Sequence, residues 1–278
     1  MTGKKKELSI AIGVLVVAIV IYIWYGFWEQ DTSGYCNAIV EYEENIEDIE
    51  DIEDEKEKEQ ADIIECQPPD VTNEEIESVD IPIDFASLQE INQDIYAWII
   101  ISGTLVDYPI LQSDGEDQEF YLHHTFERLP SIEGSVFTQN YNRKNFMDRN
   151  TVIYGHDMLD GSIFGSLRNY KDEDFRREND TIIIYTPYNI LEYRIFSIVV
   201  FDNRHLMYAF CFDNEDKFYE FLDEVQDARE VIYWSEDIEV TIRDRIITLS
   251  TCTIDVDERL LIMAVLVGYQ GKFSLGLH

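Results

Sequence analysis

The feature that most constrains this chain is a set of β-branched and aromatic runs bounded by Asn, Asp or Gly: Thr151 to Tyr154, Thr181 to Tyr185, Glu192 to Phe201, Ile246 to Thr251 and Leu260 to Val267. Val, Ile, Thr and Tyr fit a pleated, half-buried surface, so these runs predict strands. Two helical patterns interrupt them. Asp84 is a good N-cap for Phe85 to Asn92, whose apolar residues fall at helical spacing, and Trp98 to Ile101 follows as a buried strand. The second helix is predicted from Asp213 to about Ala228, with Phe218, Phe221, Leu222 and Val225 on one face and Asp213 as cap. Gly103 and Pro109 punctuate the intervening chain into short extended pieces. This is not the alternation of βαβ units, and it predicts a mainly β barrel or sandwich with helical additions.

The N-terminus follows other rules. Lys4-Lys5-Lys6 precedes Leu8 to Phe27, which holds no charged residue, and Trp24, Tyr25 and Trp28 cluster at its far end. As a helix that stretch is about 30 Å long, enough to cross the hydrocarbon core with the aromatics at the exit interface. A cleaved signal peptide is the alternative, but Phe27-Trp28-Glu29-Gln30 is no small-residue cleavage site. The lysines stay inside, so the chain from about residue 29 onward is expected outside the cell.

Between residues 41 and 59 the chain is dominated by Asp and Glu, relieved by Ile46, Ile49, Ile52 and two lysines, and Pro68-Pro69 follows. Such a run reads as a solvated tether. The expected organisation is a cytoplasmic stub over 1–7, a transmembrane anchor over 8–28, an acidic extracellular tether over 29–74 and a folded domain over 75–278. With 57 acidic against 21 basic residues, the net charge of -36 repels phosphate backbones, so nucleic acid is excluded as a partner. No Gly-rich phosphate loop is present either.

Cys36, Cys66, Cys211 and Cys252 show no CxxC spacing, so neither a zinc site nor a redox pair is suggested, although a Cys36–Cys66 disulfide is possible outside the cell. His123-His124 has no carboxylate or thiol at ligand spacing, and no metal is expected there. Cys252 differs from the other three cysteines because it ends the strand Ile246 to Thr251 and precedes the polar turn Thr253 to Glu258. A nucleophile at a strand end is held by the sheet yet open to substrate. A buried thiol packed as a small hydrophobe fits the same string.

Arg259 begins the return run seven residues later, so an antiparallel pair brings its guanidinium back beside Cys252. It suits a carbonyl oxygen that becomes negative, or alternatively an ion pair with Asp255, Asp257 or Glu258. His156 follows Thr151 to Tyr154 and Gly155, which places an imidazole at another strand end. Strand alternation puts Ser250 on the face of Cys252.

Taken together, Thr248-Leu249-Ser250-Thr251-Cys252 resembles the TLxTC signature of sortases, and Tyr154-Gly155-His156 is similar to their histidine motif, with Arg259 trailing. Further stretches resemble class B sortases: Ile91 to Asp94 through Trp98-Ile99, Gly103-Thr104, Tyr108-Pro109, Gly134 to Phe137 and Gly161 to Gly165. The similarity runs in consistent order over residues 84 to 270, and the helix from Asp213 matches the insertion that marks class B. Asp157 departs from it, standing where class B members often carry Asn; an acid there would stabilise an imidazolium.

The resemblance implies a closed β-barrel of about eight strands with N-terminal helices and a helical insertion ahead of the cysteine strand. It implies that residues 75–278 form a cysteine transpeptidase with Cys252 as nucleophile, His156 as proton-transfer partner and Arg259 as oxyanion stabiliser. Ser250, Thr251 and Tyr208 would contact substrate, with no metal and no cofactor. The implied partners are surface proteins carrying a C-terminal sorting motif, cleaved after Thr, and an amine of a peptidoglycan precursor or cross-bridge; the membrane is a third, through the N-terminal helix. A pilin polymerase with a lysine acceptor shares these residues, a thiol hydrolase would pass the thioester to water, and a silent surface scaffold would have lost one of the three.

Overall fold

The computed structural model describes residues 79–271 other than 254 and 256. The expected anchor, tether and Cys36–Cys66 pair lie outside the described residues. No helix among the described residues is long and apolar enough to cross a membrane.

Nine strands form one sheet: β1 (Ile95–Ile101), β2 (Asp107–Leu111), β3 (Val136–Thr138), β4 (Asn150–Tyr154), β5 (Thr181–Tyr185), β6 (Asn189–Asp202), β7 (Glu230–Trp234), β8 (Ile246–Cys252) and β9 (Glu258–Gly271). Their order is β5-β1-β2-β3-β4-β8-β9-β6-β7, and a further β5–β6 pairing closes eight of them into a barrel, with β7 added to the far half of β6. Closure removes the open edges that an eight-stranded sheet would otherwise expose. Two contacts, β2–β3 and β4–β8, are parallel.

The unbroken apolar run that opens β9 has a simple cause. Leu260, Ile262 and Ala264 enter the barrel interior with Ile99, Ile153, Ile184, Ile247 and Leu249. Leu261, Met263 and Val265 face outward into a second core with Val152, Phe196, Phe218 and Phe221. Both faces are buried, so hydrophobic alternation vanishes although the strand geometry is ordinary.

That second core lies under the β6–β7 insertion, which holds helices over Leu206–Ala209 and Glu215–Gln226. The longer one is capped by Asn214, whose side chain accepts from the Lys217 N–H, and not by Asp213 as the sequence suggested. Its four apolar residues, Phe218, Phe221, Leu222 and Val225, are all buried. Each contributes about 1.5–3 kcal/mol relative to exposure, enough to bind an amphipathic helix of this length to a sheet. The first helix, Phe85–Ile91, is capped by Asp84, which accepts from the Ser87 N–H at 3.1 Å, and packs with Ile95, Leu111 and Phe137 in a third, smaller core.

The sequence did not reveal β2, β3 or β7. In β2, Pro109 pairs with Trp98 of β1, while β3 covers only Ile110 and Leu111, so the missing N–H falls where no second ladder runs. Three-residue β3 is too short to show a period.

Candidate active site

Sheet register sets two of the three expected catalytic side chains. Cys252 ends β8 directly opposite Arg259 in the antiparallel β8–β9 pair. Counting along the strands, Cys252 and Ser250 share the outward face of Ile246, and Arg259 shares that of Leu261, so both side chains stand on the insertion side of the barrel. Tyr154 joins this face from β4, where it lies level with Ser250 in the parallel pair.

His156 arrives by another route. After β4 the chain makes one more rung, the Gly155 N–H donating to the Ser250 carbonyl at 3.3 Å, and then leaves the sheet. A Cβ on Gly155 would lie 2.8 Å from the Phe164 ring, so this glycine is required for close packing against the loop that follows. In that loop Phe164 N–H returns to the His156 carbonyl at 3.0 Å, and Ile163 takes φ +52°, a costly conformation for a β-branched residue. The His156 ring donates from Nε2 to the Leu122 carbonyl at 2.8 Å. A carbonyl only accepts, so Nε2 carries the hydrogen.

Cys252, His156, Arg259, Ser250 and Thr251 all line one cavity of about 210 Å³. Thr251 stands on the alternate, inward face and is 3% exposed, whereas Ser250 shares the face of Cys252 as expected. Tyr208 is outside the lining. It is 58% exposed, its hydroxyl is 2.5 Å from that of Tyr141, and its ring lies 4.1 Å from His205, which does line the cavity. The carboxylate of Asp157 is taken by Arg168 at 2.5 Å, and that of Glu258 by Arg229. Arg259 donates to the Glu258 backbone carbonyl at 2.9 Å.

Of the lining residues, Thr251 was expected from the sequence, whereas His205 and Gln139 were not singled out there. The Tyr154 hydroxyl, the Thr251 hydroxyl and both ring nitrogens of His205 are buried with no hydrogen-bond partner. Burial pushes the Tyr154 phenol up, helped by the Glu119 charge, and pushes the His205 imidazole down. Buried polar atoms without partners are scarce in folded proteins, and here, with the Gln139 Oε1, five of them belong to residues lining one cavity. His205 gives no sequence signal because it ends no predicted strand, and Tyr154 reads as an ordinary strand aromatic.

Beside this cavity is a larger cleft of about 870 Å³, lined by carboxylates of the insertion helix and of the β8–β9 turn, among them Asp223, Asp227, Asp255 and Asp257. Arg204 borders both hollows and pairs with Asp202 at 2.9 Å and Glu224 at 2.5 Å, tying the insertion to the end of β6.

The closed barrel with its helical insertion sets a thiol, an imidazole and a guanidinium at one cavity, and comparison with known proteins identifies the class as sortase-type cysteine transpeptidases. Residues 99–267 match the sortase domain. Sortase B of Listeria monocytogenes is 37% identical over 170 residues, 61% of this chain and 67% of that protein, and sortase B of Staphylococcus aureus is 35% identical over 168 residues, 60% and 67%. The structure of the Staphylococcus aureus sortase B–substrate complex superposes with a TM-score of 0.58 at 33% identity, covering 66% of this chain and 84% of that one. The chain belongs to the sortase family, and its similarity is to class B.

Proposed function

We propose that this chain is a membrane-anchored, extracytoplasmic transpeptidase that joins surface proteins to cell-wall amines through Cys252, His156 and Arg259. The Cys252 thiolate attacks the carbonyl carbon of a threonine in a C-terminal sorting signal. A C–S bond forms, the peptide C–N bond breaks, and the departing amine takes a proton from the His156 imidazolium. A peptidoglycan precursor or cross-bridge amine then attacks the thioester carbonyl and gives its proton to His156. The new C–N bond forms as the C–S electron pair returns to sulfur. In both halves the Arg259 guanidinium faces the oxygen that becomes negative, a task for its fork of donors.

The observation that carries this reading is the convergence of Cys252, Arg259 and His156 on one cavity, with Cys252 and Arg259 opposed in register. Ser250, Thr251 and the neighbouring Tyr208 are the substrate contacts in this reading. The acidic cleft alongside favours an acceptor that approaches as a cation, as an ammonium does, and that loses one proton to solvent before the neutral amine attacks. Residues 8–28 are the anchor and 29–74 the tether, which leaves the domain over 75–278 in the cell envelope where both substrates are.

The test is incubation of the full chain with candidate sorting peptides, followed by mass spectrometry. A thioacyl adduct on Cys252, absent from Cys252→Ala, is the expected result. Cleavage by Cys252→Ala at the wild-type rate overturns the assignment.

A further inference from the structure

We propose that the Leu122 backbone carbonyl, fixed by the buried Tyr121–Asp94 hydrogen bond, sets the tautomer and orientation of the His156 ring. This rests on the reading of His156 as the proton-transfer group, and it makes Tyr121 and Asp94 positioning residues. In many thiol and serine enzymes a carboxylate or carboxamide side chain orients the imidazole. Here the adjacent acid, Asp157, is committed to Arg168 at 2.5 Å, and the ring instead donates Nε2–H to Leu122 at 2.8 Å. That leaves Nδ1 as the nitrogen that takes up and returns the reaction's proton.

A backbone carbonyl can orient a ring only if its own segment is fixed. Leu122 ends a single 3-10 turn, Phe120–Leu122, which has too few internal hydrogen bonds to be rigid alone. Its rigidity comes from Tyr121. That side chain is fully buried, donates its hydroxyl to Asp94 at 2.5 Å and accepts from the Asn92 carboxamide at 2.8 Å. Asp94, 4% exposed, also accepts from Arg128 at 2.8 Å.

A second close neighbour restrains the same carbonyl. Gly134, at φ +61°, passes so close that a Cβ there would lie 2.5 Å from the Leu122 oxygen, and the Ser135 N–H donates to the Tyr121 carbonyl at 2.8 Å. The Leu122 oxygen therefore meets both the His156 ring and the Gly134 backbone. Burying a carboxylate under this turn costs desolvation that an apolar pair would avoid, so its presence fits a positional role.

The test uses Tyr121→Phe in the full chain, labelled with 15N-histidine, with the His156 signals assigned by their loss in His156→Gln. Wild type is expected to show the Nε2-protonated tautomer. In Tyr121→Phe the tautomers mix, and kcat for peptide cleavage falls about tenfold while KM stays within about twofold, the pattern of lost orientation. Arg128→Met, at a half-exposed side chain, shifts both readouts the same way by less, and it decides the matter if Tyr121→Phe does not fold. A folded variant with an unchanged tautomer overturns the proposal, whatever its rate. Full activity in His156→Gln would instead remove the catalytic reading, and the tautomer measurement would still decide this one.

Discussion

Cys252 and Arg259 are placed by strand register, whereas His156 is placed by loops, and the two holders have different physics. The thiol and guanidinium are fixed by a ladder whose side chains fill two cores, so displacing them means unfolding the barrel. The imidazole depends on one hydrogen bond to a carbonyl 34 residues away and on the packing of Gly155 and Gly134. A sheet fixes which groups face each other. A loop fixes an angle, and it can be loosened without loss of the fold.

The largest effect should come from moving the thiol by one rung. In the double variant Thr251→Cys with Cys252→Thr, alternation turns the sulfur to the inward face. Adduct formation is expected to fall to the level of Cys252→Ala, as read by mass spectrometry; retained labelling would show that register does not place the nucleophile. Next, Arg259→Lys keeps the charge but loses the fork. It should lower kcat/KM about 10²- to 10³-fold with little change in melting temperature.

Stability separates the two holders further. Leu249→Ala empties a fully buried site in β8 and should cost about 3 kcal/mol in denaturant unfolding, whereas Arg128→Met in the loop anchor should cost under about 1 kcal/mol. Equal losses would erase the contrast. The smallest effect concerns the cavity wall. Burial depresses the His205 pKa below its ordinary 6.5, so the unfolded chain binds the extra proton. This group's contribution to stability is present above about pH 6.5 and is lost as pH falls toward the folded value. His205→Phe should therefore show a shallower decline of melting temperature from pH 7 to 5 than wild type.

The same contrast decides what the sequence made legible. Cys252 and Arg259 could be paired because a seven-residue spacing across a polar turn is a hairpin, and the strand runs around them were long and β-branched. His156 could be found at its strand end. Its partner could not, because Leu122 acts through a backbone oxygen and any residue supplies one. The acid beside the histidine suggested a charge partner, but Arg168, eleven residues on, takes it. Asp213 and Asn214 are both good caps, and only the backbone distinguishes them.

The parallel β4–β8 pairing has a kinetic consequence. Thr248 bonds to Asn150 across 98 residues of chain, and the whole insertion lies between them. Contacts of such separation form late, after the loop-closure entropy has been met. A newly made chain therefore carries a thiol with no imidazole beside it until the barrel shuts. On the reading of Cys252 as nucleophile proposed above, recovery of acylation during refolding should track barrel closure and lag behind formation of the insertion helix.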